Sequence, residues 1–111
     1  MPLFSVSLLF SLEVEAPGAP EPLRELAIHV LSAADEIEAK TKAEAIGKAR
    51  EIKYKNEHGE TVRDGFKGVR AVQSLGDDRL FDGMEVASWL YRRGERLMLD
   101  DDGIAAEAAA K

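Results

Sequence analysis

The chain has 111 residues, of which 45% are hydrophobic, 32% charged and 6% aromatic, with no cysteine and a formal net charge of −6. This length and apolar content predict one domain with its own core and exclude intrinsic disorder, and the lack of thiols excludes a disulfide framework and a cysteine-based zinc site. The charge is uneven: residues 1–39 sum to −6, residues 40–70 to +4 and residues 71–111 to −4, so a basic middle third lies between two acidic flanks.

From the N-terminus, Phe4, Val6, Leu8, Phe10, Leu12 and Val14 alternate with Ser5, Ser7, Ser11 and Glu13, with Leu9 the exception. Period-two alternation predicts a half-buried strand rather than the apolar helix of a leader peptide. No Lys or Arg precedes Arg24, so the positive region of a secretory signal is missing. No stretch reaches the ~20 apolar residues that cross a bilayer, and a cytoplasmic location is the expectation. Ala16 to Pro22 holds three prolines and Gly18, which predicts a loop. Leu23 to Ala33 returns to an extended pattern, with Leu26, Ile28 and Val30 on one face and Glu25 and His29 on the other, and predicts antiparallel pairing with the first strand.

Helix formers dominate from Ala34 to about Lys53, and Asp35 stands three residues before Glu38 in the spacing of a capping box. On a helical wheel Ala39, Ala43, Ala45, Ile46, Ala49 and Ile52 share one half. That face is apolar but shallow and lets the helix lie close to a sheet, with Lys42 and Lys53 snorkelling at its margin. Gly47 falls towards its edge and weakens the helix by about 1 kcal/mol relative to alanine. Tyr54 to Glu60 predicts a turn closed by Gly59.

Thr61 to Leu75 is again extended, but Val62 and Phe66 are even-numbered while Val69 and Leu75 are odd. A bulge near Gly65 or Gly68 reconciles them, because one extra residue moves later side chains to the other face. After a loop at Gly76, Asp77 and Asp78, Met84 to Arg92 predicts a strand with Val86 and Leu90 on one side and Trp89 and Tyr91 on the other, apolar on both sides and therefore central. Arg93 and Gly94 offer a hairpin turn into a short strand at Arg96–Leu99. Residues 100–111, acidic and then alanine-rich, predict a tail or peripheral helix beyond a domain of residues 1–99. The expected fold is α+β: two layers in the order β-β-α-β-β, an antiparallel sheet of four strands, or five if residues 96–99 add one, with one main helix packed on one face.

Three stretches resemble a family of short bacterial proteins known as domain of unknown function 4288. They are Phe4 to Phe10, the strand-to-helix passage from Val30 to Ala49, and Tyr54 to Val62 with its Asn-x-x-Gly-Glu element, followed by Phe66, Val69 and Gly83-Met84-Glu85-Val86. The resemblance covers roughly residues 3–93 and implies a small α+β fold and a bacterial source, with no activity attached. The family often carries an aromatic, usually tryptophan, near the position of Asp64, and this chain departs there.

The residues offer little to catalysis. A transition-metal site needs several convergent ligands, and the chain has only His29 and His58, the latter in a polar turn with Glu57, Glu60 and Asp64. The aspartates at 77, 78 and 82 and at 100–102 lack the ligand spacing of a calcium loop. No nucleophile elbow surrounds Ser32, Ser74 or Ser88, and no phosphate-binding glycine loop occurs. A carboxylate pair such as Glu60 and Glu85 can do acid–base work if the two meet across strands. No cofactor, metal, small-molecule ligand or membrane partner is inferred.

Binding remains. Lys48, Arg50, Lys53, Lys55, Arg63, Lys67 and Arg70 form a positive surface for a polyanion if the helix C-terminus lies over the third strand. The acidic flanks and the lack of a stacking platform beyond Tyr54 and Phe66 disfavour nucleic acid. Complementary acidic and basic regions favour a protein partner, a second copy of the chain included. Tyr54, Asn56, His58, Glu60, Glu85, Trp89 and Tyr91 are the candidate contact residues, Trp89 and Tyr91 as aromatic anchors unless they pack in the core. The expected role is a non-catalytic, self-associating protein-interaction module, of which an immunity or inhibitor protein is one instance; the alternatives are a polyanion binder through residues 40–70 and a carboxylate-based enzyme.

Overall fold

A computed structural model describes residues 1–90, 92 and 93. Its elements run β1 (Leu3–Glu15), β2 (Leu23–Ser32), α1 (Glu36–Arg50), β3 (Ile52–Lys55) and β4 (Thr61–Ser74). The strands form one antiparallel sheet in the spatial order β2-β1-β4-β3. The fold is thus α+β in the order β-β-α-β-β, though one of its four strands, β3, is not among those the sequence predicts.

β1 is central and buried on both faces. Phe4, Val6, Leu8 and Phe10 point to one side and Ser5, Ser7, Leu9 and Ser11 to the other, and all are buried. The proline-rich segment from Ala16 to Pro22 separates β1 from β2, and Gly18 turns it with φ +72°. The hairpin register sets Phe4 against Leu31, Val6 against His29 and Leu8 against Ala27. Ala27 and Leu31 therefore join the core, while Ile28 and Val30 remain exposed. The apolar series Leu26, Ile28, Val30 faces away from the helix, because the register puts odd-numbered β2 residues beside the core face of β1.

Asp35 caps α1: its carboxylate accepts from the Glu38 N–H at 2.8 Å, and the Glu38 carboxylate accepts from the Ala34 N–H at 3.0 Å. Ala43 packs on Val6, Leu8 and Phe10, and Ala39 on Phe4 and Ala33. Lys42 snorkels, donating to the Ser32 carbonyl at 2.7 Å. The helix ends at Arg50, short of the predicted Lys53, because Glu51 is extended (φ −58°, ψ 132°) and Ile52–Lys55 pairs with β4. Ala45, Ala49 and Ile52 are exposed, and the buried stripe is Ala39, Ala43 and Gly47. Gly47 is at the contact itself rather than its edge: a Cβ there would collide with the Phe66 ring.

Two bulges reconcile the parity of β4. Its pairing with β1 skips Lys67, between Phe66 and Gly68, and Arg70, between Val69 and Ala71. The first moves Val69 onto the core side and the second restores even numbering at Val72; Phe66, Val69 and Val72 all pack against the core. Gly68 supplies the left-handed φ of +141° that the doubly bulged stretch requires.

The strand predicted at Met84–Arg92 is absent: residues 84–90 and 92 belong to no sheet. Tyr91, the proposed turn through Gly94, the strand at 96–99 and the tail at 100–111 lie outside the described residues. Among the described residues no helix is long and apolar enough to cross a membrane.

Candidate interaction surface

The β3–β4 loop, Asn56 to Glu60, contains the most distinctive motif of the sequence. The Asn56 N–H donates to the Glu60 carbonyl at 2.9 Å, and the Gly59 N–H donates to the Asn56 carbonyl at 3.0 Å. Inside that frame Asn56 Oδ1 accepts from the His58 and Glu60 N–H groups at 2.9 and 3.0 Å, and Asn56 Nδ2 donates to Glu60 Oε1 at 3.0 Å. Gly59 takes φ +77°, the conformation that lets five residues reverse the chain. The Asn56 and Glu60 side chains are thus engaged in closing the loop, and Glu57 and His58 stand exposed at its tip, 3.5 Å apart. Tyr54 is exposed on β3.

At the C-terminal end of α1 the Arg50 guanidinium lies 4.0 Å over the Phe10 ring. It pairs with Glu25 on β2 and with Asp64 on β4, the latter at 3.9 Å. One side chain thereby joins the helix to three strands, and Asp64 has a defined partner where the family resemblance expects an aromatic. The neighbouring Glu51 carboxylate accepts the Phe66 N–H at 3.1 Å. Two other basic residues are matched in the same way: Arg63 pairs with Glu15 at 3.4 Å and Lys67 with Glu13 at 3.7 Å. Lys48, Lys53 and Lys55 are exposed, Lys53 stands opposite Arg63 in the β3–β4 register, and Arg70 is a half-buried bulge residue. The acidic first third of the chain therefore meets the basic middle third inside one molecule.

Of the remaining contact candidates, Glu85 and Trp89 follow the other end of β4. The Gln73 side chain grips the backbone of Ser88 at both its groups: Nε2 donates to the carbonyl at 3.0 Å and Oε1 accepts from the N–H at 3.1 Å. This amide imitates one rung of a sheet ladder and holds residues 84–90 without a strand. A cavity of about 330 Å³ lies between β4 and this segment, lined by Gln73, Ser74, Leu75, Phe81 and Met84 to Ser88, Glu85 among them. Glu60 precedes β4 and Glu85 lies at its far end, and at ~3.3 Å per residue a strand of this length holds them on the order of 40 Å apart. They cannot act as a carboxylate pair. Trp89 is half-buried and Leu90 fully exposed, as are much of Leu80 and Phe81.

On the sheet face away from α1, β1 presents serines at 5, 7 and 11, flanked in register by Val30 and Gln73 and by Ile28 and Ala71 at the first two positions. Ser5 Oγ is buried with no hydrogen-bond partner among the described residues. Ile28 and Val30 rise on β2 beside this row, 43% and 38% exposed. Sequence alternation marks these two residues as a pair on one face, but their outward direction follows only from the register with a strand that is buried on both sides.

Residues 3–88 match the family described as Domain of unknown function (DUF4288). The chain belongs to this family. The part shared with DUF4288 takes in the whole sheet, the helix, the Asn56 loop and the grip of Gln73 on Ser88. No curated protein and no solved structure matches the chain significantly.

Proposed function

We propose that this protein is a non-catalytic interaction module that associates with itself. The observation that carries this reading is the distribution of apolar side chains: Ile28 and Val30 on one sheet face, and Leu80 and Phe81 at 64% and 57% exposure in the segment after β4, all stand in water while alanines and serines fill much of the interior. Apolar side chains grouped on an edge strand are expected at contact surfaces. The polar groups that chemistry would use are committed elsewhere, Asn56 and Glu60 to a loop and Arg50, Arg63 and Lys67 to acidic partners. Sedimentation velocity from micromolar to near-millimolar protein tests it. The expected result is a concentration-dependent shift from monomer to dimer; a strict monomer throughout overturns self-association.

A further inference from the structure

The two edges of the sheet are built differently. On the β3 side, the edge strand is four residues long and carries Lys53 and Lys55; beyond it β4 is bulged at Lys67 and Arg70 in its pairing with β1, and the Phe66 N–H is taken by the Glu51 carboxylate. Bulges and charge on an edge discourage the addition of another strand. On the opposite side, β2 pairs with β1 over ten successive positions without a bulge, and its outer side has no strand neighbour among the described residues. A long regular edge carrying Ile28 and Val30 is a template for a further strand.

The sequence of β2 complements itself. When two copies run antiparallel with Ala27 opposite Ala27, Leu26 meets Ile28, Leu23 meets Leu31 and Glu25 meets His29, each contact occurring twice by symmetry. Arg24 falls opposite Val30, over which its aliphatic stem can lie, and no two like charges are opposed. From this complementarity of polar and apolar pattern on an unblunted edge, we infer that the chain forms a twofold-symmetric dimer by antiparallel pairing of β2 with β2 of a second copy, joining two four-stranded sheets into one. The inference rests on the self-association reading and names its surface.

Ile28→Lys tests it, because a lysine at this exposed position suits a monomer's edge but faces Leu26 in the dimer. In sedimentation the dissociation constant of the dimer should rise at least tenfold, while circular dichroism stays that of the parent; Ile37→Lys, at an exposed position on α1 away from β2, should leave the constant unchanged. His29→Glu, which opposes Glu25, should weaken the dimer more than His29→Lys. Should Ile28→Lys fail to fold, amide hydrogen exchange of the parent chain replaces it, with β2 protection expected to rise with protein concentration. A dimer unaffected by Ile28→Lys, or β2 exchange independent of concentration in a chain that dimerises, overturns the β2 interface and leaves self-association standing; a parent chain that is always monomeric overturns both.

Discussion

Asn56 shows how one side chain can close a turn. Its carboxamide accepts from two backbone N–H groups and donates to the Glu60 carboxylate, so alanine there leaves two donors of the loop to water and unties Glu60. Asn56→Ala should cost about 1–2 kcal/mol in urea unfolding. Gly47 poses a conflict between local and tertiary preference. Alanine would gain about 1 kcal/mol of helix propensity, yet its Cβ meets the Phe66 ring, and overpacking of this kind costs about 1–3 kcal/mol. Gly47→Ala should therefore destabilise, and in a Phe66→Leu background the same change should be better tolerated. A double-mutant cycle in denaturant measures that coupling, and additivity would refute the contact.

Among the elements, those with a local signal were legible and those that depend on a partner were not. The alternation of β1, the prolines of the first loop and the spacing of Asp35 to Glu38 each act within a few residues, and each element begins where that chemistry puts it. A single shift of parity marked one bulge, near Gly65 or Gly68; the second bulge, at Arg70, cancels the first at Val72 and so left little trace. Ile52 and Lys53 continued a helical pattern while Tyr54 and Lys55 opened a predicted turn, and only pairing with Thr61–Asp64 makes the four residues a strand. Residues 84–92 have the composition of a central strand, yet the contact that holds this segment at Ser88 is a side-chain amide with no sequence periodicity. Gln73→Ala should release it: the Ser88 amide should exchange faster and residues 84–90 become more sensitive to protease, while amides of β1 keep their protection. Equal exchange at Ser88 in parent and variant would show that other contacts hold the segment.

At the scale of the whole molecule, the charge pattern acquires a structural meaning. The acidic and basic thirds of the chain face one another across the sheet: Glu13, Glu15 and Glu25 stand against Lys67, Arg63 and Arg50, and Asp64 adds a second carboxylate at Arg50. The candidate contact residues were legible as types but not as a surface, since Tyr54, Asn56, His58 and Glu60 lie at one end of β4 and Glu85 and Trp89 follow its other end. Neutralisation within the fold also supports the proposal of a protein partner over a polyanion. Each cation that remains paired withholds its charge from phosphate, and a chain of net charge −6 is repelled at long range. The parent protein should pass a heparin column without retention at about 0.15 M salt, where exposed charges are screened beyond ~8 Å. The triple variant Glu13→Gln, Glu15→Gln, Glu25→Gln uncovers Lys67 and Arg63 and leaves Arg50 with Asp64 alone; it should be retained, eluting as salt rises, because bound cations displace counterions from the polyanion. Retention of the parent chain that weakens steeply with salt would instead show that Lys48, Lys53 and Lys55 suffice to bind, and would restore the polyanion reading.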